Sequence, residues 1–526
     1  MGNCVMSDNF EKNARTTSLF TLVSRSLGLV RDGALSRIFG PGVVTSAFCF
    51  AFLIPNLFRR LFGEGALAAA FLPSYSKLQQ EDPQLAKAFA TLTISKLMVL
   101  LGVVTLIAEL ILWLILSAQD EMNGSIQLTM IMLPYMPLVC VVAIFGAMLH
   151  VQDTFGPTAS APIILNGFMI AAALGFVGYF ETPAAHMTLI GVSVVVAGIL
   201  QVVWSLLALK KFGWFTTSTE SANGEFKAMM RKMLPMTLGL ATLQINTLID
   251  GLVANGSNLF GSTFFFGLQY PLHEGTMASV TWAQRLYQFP LGVFGIAVAT
   301  SIYPLLAKQA SKHDTFSSTL RRGLRLVVFI GLPASAGLII VREPLVAAVF
   351  QGDKFTSSDV VTVGSILLGY ASAVWAYSMA QVLTRGFYAK GDMITPVKVA
   401  MACVALNLVL NISLIWTPLG ASGLAWSTAI CAVVNVCGLL VCMERFVTRP
   451  LNAEVIHSFG ATAILTFIMS IAVWVVVHQL WQTGGSWSSS LVPLASSVVV
   501  GILVFAVGSK MLKRPELRWA MGKGSR

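Results

Sequence analysis

Five arginines, Arg25, Arg31, Arg59, Arg60 and Arg285, stand in stretches otherwise apolar enough to lie in a lipid bilayer. An arginine at the centre of a membrane helix costs roughly 2.5–3.5 kcal/mol on insertion scales. Several such costs in one segment require that the side chains face protein, water or a charged ligand. The guanidinium is planar, always charged and able to grip two oxygens at once, which suits phosphate. The set therefore predicts a cationic cavity that holds a di-anionic or pyrophosphate group. Arg25 and Arg31 are six residues apart, roughly 120° on a straight helix, with Gly28 between them to permit a bend or a close helix contact. Asp32 is a partner for one of them, and a ligand-free salt-bridge network is the competing explanation. Arg59 and Arg60 point about 100° apart, and Glu64 lies four residues beyond Arg60, where it can pair along the helix. Their plainer role is to anchor the end of a crossing at the membrane surface. Arg285 lies near Trp282, Tyr287 and Pro290.

A second set could hold a hard cation. Asp250 supplies a carboxylate, and Asn407 and Asn411 share a helix face at i and i+4. Ser427 and Thr428 add hydroxyls. Carboxylate, amide and hydroxyl oxygens make a shell for sodium or a similar ion. Ordinary hydrogen bonding between helices is the alternative.

These residues are embedded in a chain of 526 residues, 56% hydrophobic and only 11% charged, against about 25% charged in a soluble domain. The mean hydropathy is +0.77. Fourteen runs approach or exceed the ~20-residue length of a crossing: 17–40, 43–77, 92–117, 126–150, 160–180, 188–211, 229–252, 279–308, 323–350, 361–388, 395–416, 421–445, 457–480 and 491–511. The second and eighth are long, which predicts tilt, a kink or an end outside the bilayer. The expected architecture is an all-α integral membrane protein. Its helices divide as 1–215, 216–450 and 451–526: two six-helix lobes, then two final helices with a basic tail.

The net charge of +11 does not point to nucleic acid, because no basic face with interleaved aromatics occurs. The lysines and arginines concentrate in alternate loops, while 118–125, 181–187, 253–278, 417–420 and 481–490 have none. This asymmetry predicts both termini in the cytoplasm. The first crossing is expected to serve as its own insertion signal, with no cleaved leader. The loop 253–278 is long and aromatic, suited either to capping a cavity or to being a surface insertion. The seven cysteines have no metal-like spacing. No phosphate loop of the G-x-x-x-x-G-K-[ST] type, no H-E-x-x-H and no G-x-S-x-G occurs, so the expectation is a transporter and not an enzyme, with no cofactor.

The stretches RSLGLVRDGALSRIFG, PNLFRRLFGEGALAAAFLP, QRLYQFPLGVFGIAVATSIYPLLAK and GFYAKGDMITPVKVA resemble the MurJ (MviN) family of bacterial lipid II flippases. The resemblance runs in order through the first twelve crossings. It implies the MATE-like fold of the MOP exporter superfamily and the movement of the undecaprenyl-pyrophosphate-linked peptidoglycan precursor across the cytoplasmic membrane by alternating access. It implies headgroup binding by Arg25, Arg31, Arg59, Arg60 and Arg285, supported by Asp32 and Glu64. It also implies a sodium site near Asp250, Asn407, Asn411 and Thr428 or Ser427, with sodium or membrane potential as driving force. Implied partners are lipid II, the membrane and other cell-wall synthesis proteins. Two positions depart from the family pattern: Ser46 and Gln284 stand where acids are frequent, which makes the cavity more positive. The alternatives are an exporter of another lipid-linked oligosaccharide or of drugs, a membrane scaffold and, more weakly, a membrane-bound transferase.

Overall fold

The computed structural model describes residues 20, 23–63, 66–119, 123–261, 263, 267, 269–482 and 484–521. The described chain is helical, with a lone bridge between Thr263 and Gln269 and no named strand. In a bilayer each backbone polar group must be satisfied within the protein, and a helix does this inside its own segment. Each of the fourteen expected crossings overlaps a helix, the first being described over 23–39. Among the described residues, eleven helical segments are long and apolar enough to span a membrane.

The two long crossings are interrupted. Val43–Phe58 gives way to a π-helical turn at Arg59–Gly63 before Ala66–Glu81. Thr276–Pro290 passes through a π-turn at Leu291–Gly295 into Ile296–Lys308. Prolines help to explain both: Pro55 lies one turn before the first interruption and Pro290 immediately before the second, and proline removes a helical N–H. Such insertions bend a helix and re-aim its side chains. The structure adds a short helix, Arg342–Phe350, after His313–Ile340.

The chain divides into two compact units, Met1–Tyr270 and Pro271–Arg526. In the first, Gly124–Val151 is the central crossing, with two-thirds of its apolar window buried, whereas Pro83–Ser117 is only 11% buried. The latter turns Val99, Leu106, Ile107 and Trp113 outward, as a lipid-facing helix must. Asn223–Ala254, the seventh crossing, packs inside this unit against Val43–Phe58 and Ala66–Glu81. Its far end is pinned by two Asn-Gly-Ser turns. Asn255 donates to Ser125 Oγ at 3.2 Å, and Asn123 donates to the Asn258 carbonyl at 2.7 Å.

In the second unit, Gly369 allows the helices Ser357–Ala371 and Ser422–Met443 to meet closely; a Cβ there would lie 2.7 Å from that of Ala425. The final pair, Ala453–Leu480 and Leu491–Met511, packs on His313–Ile340. A short helix, Pro515–Ala520, packs against His313–Ile340 and Leu491–Met511. Its Glu516 is fully buried, with oxygens 2.7 Å from Arg325 and 3.2 Å from Arg514, and accepts from Ser458 at 2.7 Å. Arg325 also pairs with Glu454, and Trp519 lies under the guanidinium groups of Arg322 and Arg325.

Candidate functional site

The first unit carries four of the five arginines. Helix 23–39 holds Arg25 and Arg31 at different depths, about 9 Å apart along the axis. Arg25 is exposed and Arg31 is 6% exposed. Arg31 Nε and Nη2 both donate to Asp32 Oδ1, at 2.9 and 2.6 Å, and Nη1 donates to Asn166 Oδ1 at 3.0 Å. Its guanidinium carbon lies 5.6 Å from the centre of the Phe52 ring. Asn166 in turn donates to the Ser24 carbonyl at 3.4 Å. Arg31, Asp32 and Asn166 therefore lock helix 23–39 to Gly156–Gly175. The internal salt bridge weighed as a competing explanation is present, and Asn166 is its unforeseen third member. The only sequence signal for Asn166 was a polar residue inside an apolar run.

Arg59 opens the π-turn. It is half-buried, and its Nε donates to Asn56 Oδ1 at 3.2 Å; Asn56 itself donates to the Phe52 carbonyl. Arg60 is exposed. The two neighbours thus differ in depth, as their angular separation on a helix requires. Glu64 lies outside the described residues. Ser46, at a position where acids are frequent, is fully buried. Asp250 also belongs to the first unit; it is 8% exposed and accepts from Asn246 at 3.2 Å. The i, i+4 spacing of Asn246 and Asp250 was the available signal for that pair.

In the second unit, Arg285 is half-buried on Thr276–Pro290, a helix that carries several packed aromatic residues. Gln284 donates to the Tyr370 hydroxyl at 3.0 Å. Tyr287 stacks on Tyr370 with ring centres 4.9 Å apart and meets Tyr377 at 5.4 Å. Trp282 is buried against Phe350 and Phe355. This helix is thereby packed against rings 68 to 90 residues further along the chain. Sequence reasoning had no means of finding Tyr370 or Tyr377.

Asn407, Asn411 and Ser427 do come together, each no more than 2% exposed. Asn411 donates to Asn407 Oδ1 at 2.9 Å, Asn407 donates to Ser427 Oγ at 3.3 Å, and Ser427 donates to Asn411 Oδ1. Ser427 Oγ also reaches the Leu424 carbonyl of its own helix at 2.8 Å, and Thr428 donates to that same carbonyl at 3.0 Å. As arranged, the amide oxygens of this triad point at neighbouring donors, and the triad has no carboxylate of its own. The three form a hydrogen-bonded clasp between Ile394–Leu414 and Ser422–Met443. Among the described residues no group of three or more His, Cys, Asp or Glu side chains is placed to hold a metal.

Comparison with known proteins turns this arrangement into an assignment. A family profile described as "Lipid II flippase MurJ" matches residues 35–495. The chain belongs to the lipid II flippase MurJ family. Among curated relatives, the "Probable lipid II flippase MurJ" of Vibrio cholerae is 30% identical, over 97% of this chain and 96% of the relative. The "Lipid II flippase MurJ" of Burkholderia cenocepacia is 27% identical, over 96% of both chains. The structure described as "Lipid II flippase MurJ, inward closed conformation" superposes with a TM-score of 0.76 at 22% identity, covering 95% of this chain and 99% of its own. An inward-facing multidrug resistance MATE transporter of the MOP superfamily superposes at 0.61 with 14% identity, covering 80% and 94%. At such identities these two superpositions show the fold, which is the expected MATE-like one. Membership of the MurJ family makes the chain a multi-pass membrane transporter rather than an enzyme.

Proposed function

We propose that this chain moves lipid II, the undecaprenyl-pyrophosphate-linked disaccharide peptide, from the inner to the outer leaflet of the bacterial cytoplasmic membrane. The observation that carries the residue assignment is the π-turn at Arg59–Gly63. It breaks a membrane crossing where two arginines stand together, one half-buried against Asn56 and one exposed. Arg25, Arg59, Arg60 and Arg285 receive the anionic headgroup. Arg31 is a positioning residue: its charge is matched by Asp32, and the pair fixes the helix that carries Arg25. Glu64 supports Arg60. The preponderance of arginine favours an anion over a cationic drug.

The moving bodies are the lobes 1–215 and 216–450, with 451–526 appended, although the packing groups the seventh crossing with the first lobe. The headgroup must be held more tightly in the occluded state than in either open state if it is to cross. The isoprenoid tail stays in lipid beside the final two helices. A sodium gradient or the membrane potential resets the cycle, and both termini are cytoplasmic. The other partners are proteins of cell-wall synthesis.

The test is complementation in cells depleted of their own lipid II flippase. Wild type should rescue growth, while Arg25→Ala, Arg60→Ala and Arg285→Ala should fail at equal membrane levels. Rescue by all three variants would reduce the arginines to structural pairing. Asp250→Ala separates the driving forces: unchanged function and unchanged response to sodium would remove sodium from the cycle.

A further inference from the structure

Away from the arginines, the first unit has an apolar pocket with a basic mouth. Helix Pro183–Lys210 ends in Lys210, and the chain reverses at Gly213, whose φ of +55° is a left-handed conformation that favours glycine. The reversal brings Trp214 and Phe215 back beside the helix. Together with Val203, Leu206, Leu207 and Lys210 they line a cavity of about 470 Å³, within the size range of small-ligand sites. The loop is anchored on its inner side. Trp214 meets Phe145 edge-on at 5.6 Å, and the Thr216 N–H donates to Thr91 Oγ1 at 3.3 Å. Leu207 and Phe215 remain 63% and 62% exposed, so the apolar wall of the pocket is open at the protein surface.

Its charge is one-sided. Lys210 is in the wall, Lys211 lies over the Phe212 ring at 4.8 Å, and Lys87 reaches within 3.9 Å of where a Cβ on Gly213 would sit. Among the described residues no carboxylate pairs with Lys87, Lys210 or Lys211. An apolar surface slot with one lysine in its wall and two more on neighbouring positions is complementary to a molecule with an acyl chain and a phosphate. Basic pockets on membrane proteins recognise anionic lipid headgroups.

We propose that the pocket formed by the end of Pro183–Lys210 and the Gly213 turn is a site for an anionic glycerophospholipid. An acyl chain lies against Val203, Leu207 and Phe215, and the phosphate is held by Lys210, Lys211 and Lys87. The site is separate from the arginines assigned to the transported headgroup.

The experiment is native mass spectrometry of the delipidated full chain, titrated with phosphatidylglycerol or with phosphatidylcholine of the same acyl chains. Wild type should bind phosphatidylglycerol preferentially. Each lysine near an anionic surface contributes about fivefold in affinity. The Lys87→Gln, Lys210→Gln, Lys211→Gln triple variant should therefore lose tenfold or more, with phosphatidylcholine binding unchanged. The triple Lys→Arg variant should retain the preference. Soluble glycerol phosphate should not compete, because it lacks the chain. Equal binding of the two lipids by wild type, an undiminished preference in the Gln variant, or competition by glycerol phosphate would each overturn the proposal.

Discussion

Arg31 and Asp32, adjacent in sequence, close on each other inside the first unit at 2.6 Å, with side chains 7% and 6% exposed. Removing one partner leaves the other charge buried, which typically costs roughly 3–5 kcal/mol. Arg31→Ala and Asp32→Ala should each destabilise the purified protein on that scale in thermal or denaturant unfolding. The double replacement Arg31→Met, Asp32→Leu should recover much of the loss. Asn166→Ala should cost less, about 1–3 kcal/mol, as the loss of one buried hydrogen-bond partner.

Arg60 is exposed where Arg31 is buried, so the two should separate stability from transport. Arg60→Ala should change unfolding by no more than about 0.5 kcal/mol, as surface substitutions do. It should nevertheless abolish rescue in the complementation assay. A variant that unfolds early and fails to rescue would assign Arg60 a structural role.

The Asn407, Asn411 and Ser427 clasp gives a graded expectation. Hydrogen bonds between membrane helices average about 0.6 kcal/mol and reach about 1.7. Ser427→Ala should fall in that range because Ser427 bonds to both asparagines. Thr428→Ala should be near neutral, since its hydroxyl turns back on its own helix. Unfolding of the two single variants side by side is the check. A larger effect at Thr428 would reverse the assignment.

Glu516 sets a pH dependence. Burial pushes its carboxyl up, but the Ser458 hydroxyl, its own backbone N–H and Arg325 together outweigh this and hold it below the ordinary carboxylate range. A depressed folded-state pKa means stabilisation that is present above the unfolded value, near 4.3, and is lost as pH falls through the folded one. Glu516→Gln should therefore destabilise at neutral pH, by roughly 3–5 kcal/mol for a buried pair left without its acid. The gap from wild type should narrow below about pH 4. Unfolding curves of both proteins from pH 7 downward measure it.

The clasp at the far end of the seventh crossing is testable in the same way. Asn255 is fully buried and holds Ser125. Asn255→Ala should cost about 1–3 kcal/mol and speed hydrogen exchange at the end of Asn223–Ala254.

The sequence by itself determined the membrane class, the order of crossings and the unusual length of the second and eighth, which the structure resolved into interrupted helices. Those properties are local: apolar length, proline and glycine positions and loop charge act within one segment. It also determined the family, because long ordered motifs survive without any knowledge of packing. Only the tertiary structure decided which polar residues meet. Arg31 engages Asn166, 135 positions away. Gln284 engages Tyr370. Ser427, and not its neighbour Thr428, completes the asparagine clasp. Glu516, in a tail read only as basic, is the buried centre of an ion network. A helix presents every residue at a known angle, but which angle faces a neighbour is set by helix packing, and packing joins segments that share no local signal.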